Sequence, residues 1–384
     1  MKTTILASFL SLAATASAGP FKEQTIDDKI QIGYGLAIAD VNGDGKTDIL
    51  LVDKAQVVWY ENPTWEKHVI AEKLTAIDHV CIAAQDIDGD GKAEIAVGAG
   101  WNPGDTVNSG AVFYLVPPAD RKQMWKPVEL HHEPTVHRMW WVNDDSGKYS
   151  LVVAPLHGRG NKNGAGEGVR LLEYIVPSSP EGEWKTRLID DSMHMTHNLD
   201  PVQWDKDRSR EILYCGREGV ELLDRSGDHW QHNILVSADK QPGFGGAGEV
   251  RLGKLKNTRF IATIEPMHGT NVVLYTEGQP WKRHVLDSSL NDGHAVATGD
   301  LLHQGFDQIV IGWRGKNAEG KVGLKLFQTK DPSGAEWTQT SIDDNTMACE
   351  DLKVADLNGD GWLDIIAAGR ATKNVKIYWN LADK

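Results

Sequence analysis

Basic side chains recur along this chain in pairs about twenty residues apart. His137 precedes His157, His197 precedes Arg217 and His294 precedes Arg314. The same spacing links Tyr34 to Lys54, His79 to Ala99, Gly248 to His268 and Glu350 to Arg370. The chain as a whole carries a formal net charge of −14. Imidazole and guanidinium groups gathered in one mouth of so acidic a protein would form a pocket for a small anion. A carboxylate suits arginine, which grips it through two parallel hydrogen bonds. Phosphate would instead draw glycine-rich cradles at helix N-termini, which this sequence lacks. Trp101, Trp140, Trp141 and Trp313 fall near the same positions and offer flat apolar faces to a sugar ring. The expected ligand is therefore an acidic carbohydrate.

A constant spacing needs a repeating scaffold. A segment of the form aromatic-x-x-x-x-aliphatic begins at Phe21, Trp65, Trp125, Trp184, Trp230, Trp281 and Trp337. A second pattern closes each unit, as in "VVWY" at 57, "AVFY" at 111 and "VKIY" at 375. Between them lie two more apolar stretches joined by a polar turn, so each unit holds four short strand patterns over roughly 44 to 60 residues. Four-stranded units at this period describe a β-propeller. The last unit has no aromatic strand after it, and the N-terminal "FKEQTI" has no unit before it. Pairing the two would close a ring. The reading is an all-β chain, a single seven-bladed propeller over residues 19–384. The first strand of each blade then runs from a top face to a bottom face, and the second returns. Each basic pair thus joins the leading position of a first strand to the return position of a second, both on the top. The long glycine-rich connections "GWNPGDTVNSG", "HGRGNKNGAGEG" and "WRGKNAEGKVG" also follow second strands and should wall one side of the funnel.

Three aspartate loops, "DVNGDGKTD" at 40, "DIDGDGKAE" at 86 and "DLNGDGWLD" at 356, fall in the first turn of their units, hence on the bottom face. Oxygen side chains at Asp40, Asn42, Asp44 and Asp48, at Asp86, Asp88, Asp90 and Glu94, and at Asp356, Asn358, Asp360 and Asp364 suit a hard cation such as structural Ca2+. No flanking helices and no twelfth-position glutamate are present, so these are not EF-hands. They resemble the integrin-type calcium-binding repeats of secreted propellers. Asp and Asn can also hold such turns by bonding their own backbone, with no metal. Catalysis is expected to need no cofactor.

Residues 1–18, with Lys2, the run "ILASFLSLAATA" and "ASA" ending at Ala18, read as a signal peptide. A secreted, extracellular monomer is expected. The acidic balance argues against nucleic acid and anionic membranes as partners. Cys81, Cys215 and Cys349 are odd in number and read as buried packing thiols.

Two chemistries break a bond beside a uronic acid. A glycosidase needs facing carboxyls, and the top positions supply only Glu249 and Glu350, with Asp78 and Asp351 beside them. A lyase needs a cation to neutralise the carboxylate, a base for the adjacent proton and an acid for the leaving oxygen. Histidine and arginine at one mouth fit the second set. The stretches "VHRMWW", "PLHGRG", "MTHNLD" and "YCGREG" resemble the fungal L-rhamnose-α-1,4-D-glucuronate lyases of polysaccharide lyase family 42. Related propellers are the ulvan lyases of family 24 and the rhamnosidase-like glycoside hydrolases of family 145. That resemblance implies β-elimination releasing terminal L-rhamnose from glucuronate on gum arabic type side chains. It implies His137 and His157 as base and acid, in either order, and Arg217 on the uronate carboxylate with His197 beside it. Tyr34, His79, Trp101, Arg159, His268, His294, Arg314 and Arg370 would complete the subsites. A tyrosine serves as base or acid in related lyases, and Tyr34 is the tyrosine at a top position here. Three other readings stand beside this one: a rhamnose-releasing hydrolase, a non-catalytic carbohydrate-binding propeller, and a dehydratase acting on a free ketose.

Overall fold

Each of the seven repeat units closes into a four-stranded antiparallel sheet in the computed structural model, which describes residues 20–227 and 229–381. The expected leader at 1–18 lies outside those residues. Six sheets take consecutive strands. The seventh joins the N-terminal strand Phe21–Asp27 to the outer edge of the last three, with Phe21 opposite Asn380. Both ends of the chain thus share one sheet, as the orphaned "FKEQTI" predicts.

The innermost strands are Gly35–Ala39, Cys81–Gln85, Val136–Asn143, Thr196–Val202, Glu249–Lys254, Gly293–Gly299 and Cys349–Ala355. Each neighbours the next, and the last neighbours the first, so they line a central axis. Second strands are covered on both faces by adjacent blades. They are therefore continuous apolar runs such as Asp48–Val52, "DILLV", every residue of which is buried. Outermost strands face water and are mixed, as in Lys126–Leu130, "KPVEL".

All three cysteines are buried and free. Two of them fill space opposite glycines. A side chain on Gly98 would collide with the Cys81 sulfur, and one on Gly312 with that of Cys349. Burial pushes the Cys81 thiol up to about 12, so it is an inert packing group.

Four inner strands carry a β-bulge at their top end. The pairing register slips between Val136 and Arg138, Thr196 and Asn198, Gly293 and Ala295, and Cys349 and Asp351. The residue skipped in each case is His137, His197, His294 or Glu350. A bulge leaves its residue out of the ladder and re-aims its side chain. Here it turns three imidazoles and a carboxylate toward the axis.

Candidate active site

The bulged residues bond to one another around the ring. The Nδ1–H of His137 donates to the carbonyl of His197 at 2.9 Å, and that of His294 donates to the carbonyl of Glu350 at 2.5 Å. A carbonyl only accepts, so both rings carry their proton on Nδ1 and keep a lone pair on Nε2. In His137 that lone pair accepts from Arg138 Nη1 at 3.0 Å. His137 also stacks beneath Trp101, with ring centroids 4.9 Å apart.

His197 sits at the centre of the cluster. Its ring lies 4.6 Å from His137, 4.6 Å from His268 and 5.5 Å from His294. His197 Nε2 and His268 Nε2 are 2.5 Å apart, so one proton must lie between them. Arg314 decides where it comes from. Its guanidinium donates to Asp292 at 2.8 Å, to Glu350 at 2.7 Å and to His268 Nδ1 at 3.0 Å. A guanidinium has no lone pair to offer, so in the neutral ring His268 Nδ1 accepts and the Nε2 proton is donated to His197; in the charged ring the Nδ1 proton would face Asp292 Oδ1 at 3.4 Å. His197 then carries its own proton on Nδ1, which faces Glu249 Oε1 at 3.7 Å. Neither of those two buried atoms has a hydrogen-bond partner.

Burial, with the charges of Arg138, Arg314 and the neighbouring rings, holds His137, His197 and His294 well below the usual imidazole range. They are neutral at pH 7. Burial would raise the Asp292 carboxyl, yet His268 and Arg314 hold it down at about 2. His268 is the member that reaches solvent, with its side chain 38 % exposed. A cavity of about 260 Å³ continues along the axis, with Arg138, Asn198, Arg251, Asp351 and Lys353 on its wall.

The other expected residues divide into three kinds. Some are present at the funnel but already paired. Arg370 donates to Glu350 at 2.9 Å and lies over the Tyr34 ring. Tyr34 gives its own hydroxyl proton to Asp78 at 2.8 Å, and burial and Asp78 raise its pKa, so the phenol stays protonated. Arg159 is bound to Glu133 at 3.2 Å and to the Val107 carbonyl at 2.9 Å. Arg217 differs from the other arginines expected at the mouth: among the described residues its guanidinium is held by a carbonyl, that of Asn163 at 2.8 Å, and it is exposed.

A second kind is enclosed. His79 is wholly buried, and its Nε2 accepts the Leu74 amide at 3.1 Å, so it pins a connection and does not line the funnel. His137, expected at the scissile bond, is 4 % exposed with both nitrogens engaged. The bulge drives it under Trp101, where it supports the cluster. Trp313 is 4 % exposed and presents no face to a ligand, and Trp140 and Trp141 line the axial cavity. Of the carboxyls a hydrolase would use, Glu249 and Glu350 are each 2 % exposed and tied to neighbours.

The third kind stands apart. His157 is half-buried, its backbone bonded twice to the Thr135 hydroxyl, and among the described residues its ring touches none of the four clustered imidazoles. Arg138 and Asp292 belong to the cluster although the spacing of pairs did not select them. Arg138 follows a bulged residue, and Asp292 precedes His294 by two places in a left-handed turn, φ 54°. Those positions follow from the bulges, which no pattern in the sequence announces.

Two of the three long connections, those of blades two and three, wall one side together, and the third, at 313–323, belongs to blade six and is held by Asn291 at 2.8 Å. The Gly160 amide donates to the Thr106 carbonyl at 2.9 Å, linking two of them, and Arg217 is bound by the second.

Among the residues expected at the funnel and in the aspartate loops, two groups could hold a metal ion. His197, His268 and His294 offer nitrogens within 4.8 Å of one another. A tetrahedral ion with nitrogens at about 2.0 to 2.1 Å would need the His197–His268 contact to open to about 3.3 Å. On the bottom face, Asp86, Asp88 and Asp90 also converge.

Residues 109–278 match the family model described as the aldos-2-ulose dehydratase β-propeller domain, and 34–97 and 82–115 match models of FG-GAP-like and FG-GAP repeats. The chain is 22 % identical over 363 residues to the aldos-2-ulose dehydratase of Phanerodontia chrysosporium. That alignment covers 85 % of this chain and 39 % of the relative, so this chain spans about two fifths of its length. Among solved structures, a chain of the Mitotic Checkpoint Complex superimposes with a TM-score of 0.60 at 11 % identity, covering 98 % of this chain and 97 % of that one. Hydrazine synthase of Kuenenia stuttgartiensis superimposes at 0.57 and 11 %, covering 98 % and 100 %. At such identity these structures speak to the propeller fold alone.

Proposed function

We propose that this chain is a secreted carbohydrate lyase that expels an oxygen substituent by β-elimination, acting on a terminal L-rhamnose linked α-1,4 to D-glucuronate. The observation that carries the reading is the His268–His197 pair, two imidazoles sharing one proton beside Arg314, with only His268 open to the funnel. The similarity to a dehydratase propeller supports carbohydrate as the substrate class and elimination as the reaction type.

The uronate carboxylate meets Arg217, whose guanidinium is not committed to a carboxylate, and a second oxygen draws the Nη2 of Arg314 off His268. His268 Nδ1, now with a free lone pair, takes the proton from C5. The proton on its Nε2 passes to His197, and the buried Glu249 carboxylate faces the imidazolium so formed. The C5–H electrons become the C4=C5 double bond as the C4–O bond breaks. The collected proton returns through His268 to the departing oxygen. Burial holds the His197 pKa well below the usual imidazole range, so the ring that receives the relayed proton starts neutral at mildly acidic pH.

A second reading is favoured by the match over residues 109–278, in which the departing group is water and the substrate a free 2-keto sugar. The same proton relay serves both. Incubation with a rhamnosyl-glucuronate disaccharide separates them: short-ultraviolet absorbance should rise in step with free rhamnose. Rhamnose without absorbance would mean hydrolysis. No change there, with absorbance rising on an aldos-2-ulose, would move the chain to the dehydratase reading.

A further inference from the structure

Blades three and four meet in an apolar interface that contains a polar island away from the central axis. Asp190 ends the outermost strand of blade three, Lys185–Asp190. Glu221 lies on the third strand of blade four, Gly219–Ser226, and His232 on its outermost strand, His229–Ser237. Their side chains are 3 %, 10 % and 37 % exposed. Asp190 Oδ2 and Glu221 Oε2 are buried without a hydrogen-bond partner. Both carboxylates lie close enough to Tyr214, itself wholly buried, to raise its hydroxyl pKa after burial has done so.

The same interface settles another carboxylate in the ordinary way. Glu173 receives Arg187 at 3.2 Å and Arg225 at 2.9 Å. The island holds two anions facing one imidazole, so even a protonated His232 leaves it one positive charge short. A carboxylate buried without a cation is disfavoured, and burial, with the charge of Asp190, accordingly pushes the Glu221 carboxyl up. The distances point to what is missing. His232 Nδ1 is 3.5 Å from Asp190 Oδ1 and 3.6 Å from Glu221 Oε2, too long for hydrogen bonds. With ligand bonds of about 2.0 to 2.2 Å, the edge of a tetrahedron around zinc is about 3.4 Å.

We propose that Asp190, Glu221 and His232 form a site for a divalent transition-metal ion, with Zn2+ the best match to one imidazole and two carboxylates, clamping the outer strand of blade four to blade three. The fourth position opens to water on the side where His232 is exposed. Ca2+ would want six or more oxygens and has no use for the imidazole.

The test is bound metal per chain by mass spectrometry and thermal melting, on the full chain stripped with chelator and then given Zn2+, Mn2+ or Ca2+ singly. Wild type should hold one more Zn2+ than Glu221→Gln or Asp190→Asn, and adding Zn2+ to the stripped chain should raise its melting temperature by several degrees while leaving the stripped variants unmoved. Reading the same difference in a His268→Ala background removes any ion held in the funnel. Should a buried-carboxylate variant fail to fold, His232→Ala, on the half-exposed residue, must show the same loss of one ion. Equal metal content in wild type and variants would overturn the site, as would binding of Ca2+ alone. So would a Glu221→Gln variant that melts higher than a wild type unmoved by Zn2+, since that means two carboxylates merely repelling each other.

Discussion

The two faces of the propeller satisfy their polar groups in opposite ways. On the bottom, Asp40 accepts from the amides of Gly43 and Gly45, three and five residues on, and Asn42 accepts from Asp44, two residues on. Asp86 and Asp356 repeat the arrangement. The ninth-position carboxylates Asp48 and Asp364 turn inward, each accepting an amide of its own loop and one from the end of the third strand. On the top, partners are 56, 60 and 71 residues apart, for His294 with Glu350, His137 with His197 and His197 with His268. A turn that closes on itself can fold correctly and do nothing more. Groups that find partners only on another blade are held in place by the whole ring, which is how a preorganised centre arises.

The sharpest way to break that comparison is substitution on each face. His268→Ala and His197→Ala should each lower turnover about a hundred- to ten-thousand-fold with the melting temperature little changed, as expected for loss of a general base. Asp44→Ala, on the bottom, should leave turnover within twofold. Equal losses from both faces would mean that the funnel has no special role. Next in size is Arg217→Ala. Losing a charge-assisted contact of about 1.5 to 3 kcal/mol should raise KM roughly ten- to a hundredfold with kcat nearly intact, and Arg217→Lys should recover part of it. A kcat loss of the same size would instead make Arg217 part of the reacting centre.

Stability against pH should split the faces too. The buried imidazoles have folded pKa values below their unfolded 6.5, so the stability they contribute is present above pH 6.5 and lost as pH falls beneath it. Burial raises Asp48 and Glu94 to about 7 and Asp364 to about 6. The stability these carboxyls contribute is therefore complete near pH 4 and lost as pH rises through 6 to 7. A hard cation on the loops would neutralise that second loss. Calcium should accordingly raise the melting temperature by a few degrees at pH 8 and by less at pH 5, and Asp88→Asn should shrink the gain. A calcium shift independent of pH would detach ion binding from these carboxyls. The smallest effect concerns the thiols. Cys81, buried and held neutral up to about 12, should resist alkylation in the native chain, with labelling appearing only on unfolding.

How far the sequence carried is clearest at particular residues. Seven aromatic strand starts and one orphaned N-terminal strand were enough to define the blades, their order and the closure between Phe21–Asp27 and Asn374–Asn380. Those are periodic, local signals: alternation, turn residues and buried apolar runs. The spacing of basic pairs also located the top face and named His197, His268, His294 and Arg314 among its residues. It could not tell His268, open to the funnel, from His79, which is sealed inside, because burial depends on what neighbouring chain segments cover. It assigned His137 and His157 to the reaction by resemblance, whereas His137 lies under Trp101 and His157 stands apart from the clustered rings. It passed over Arg138 and Asp292 altogether.

By itself, then, the sequence determined a ring of seven four-stranded blades, an acidic surface and a basic mouth, since each follows from composition and period along one strand. The tertiary structure alone decided which imidazole carries which proton, which arginine has no carboxylate partner among the described residues, and that two carboxylates between blades three and four face a single histidine. Those properties are set by bulges and by contacts between blades. They depend on distances of an ångström between residues that the chain keeps many positions apart.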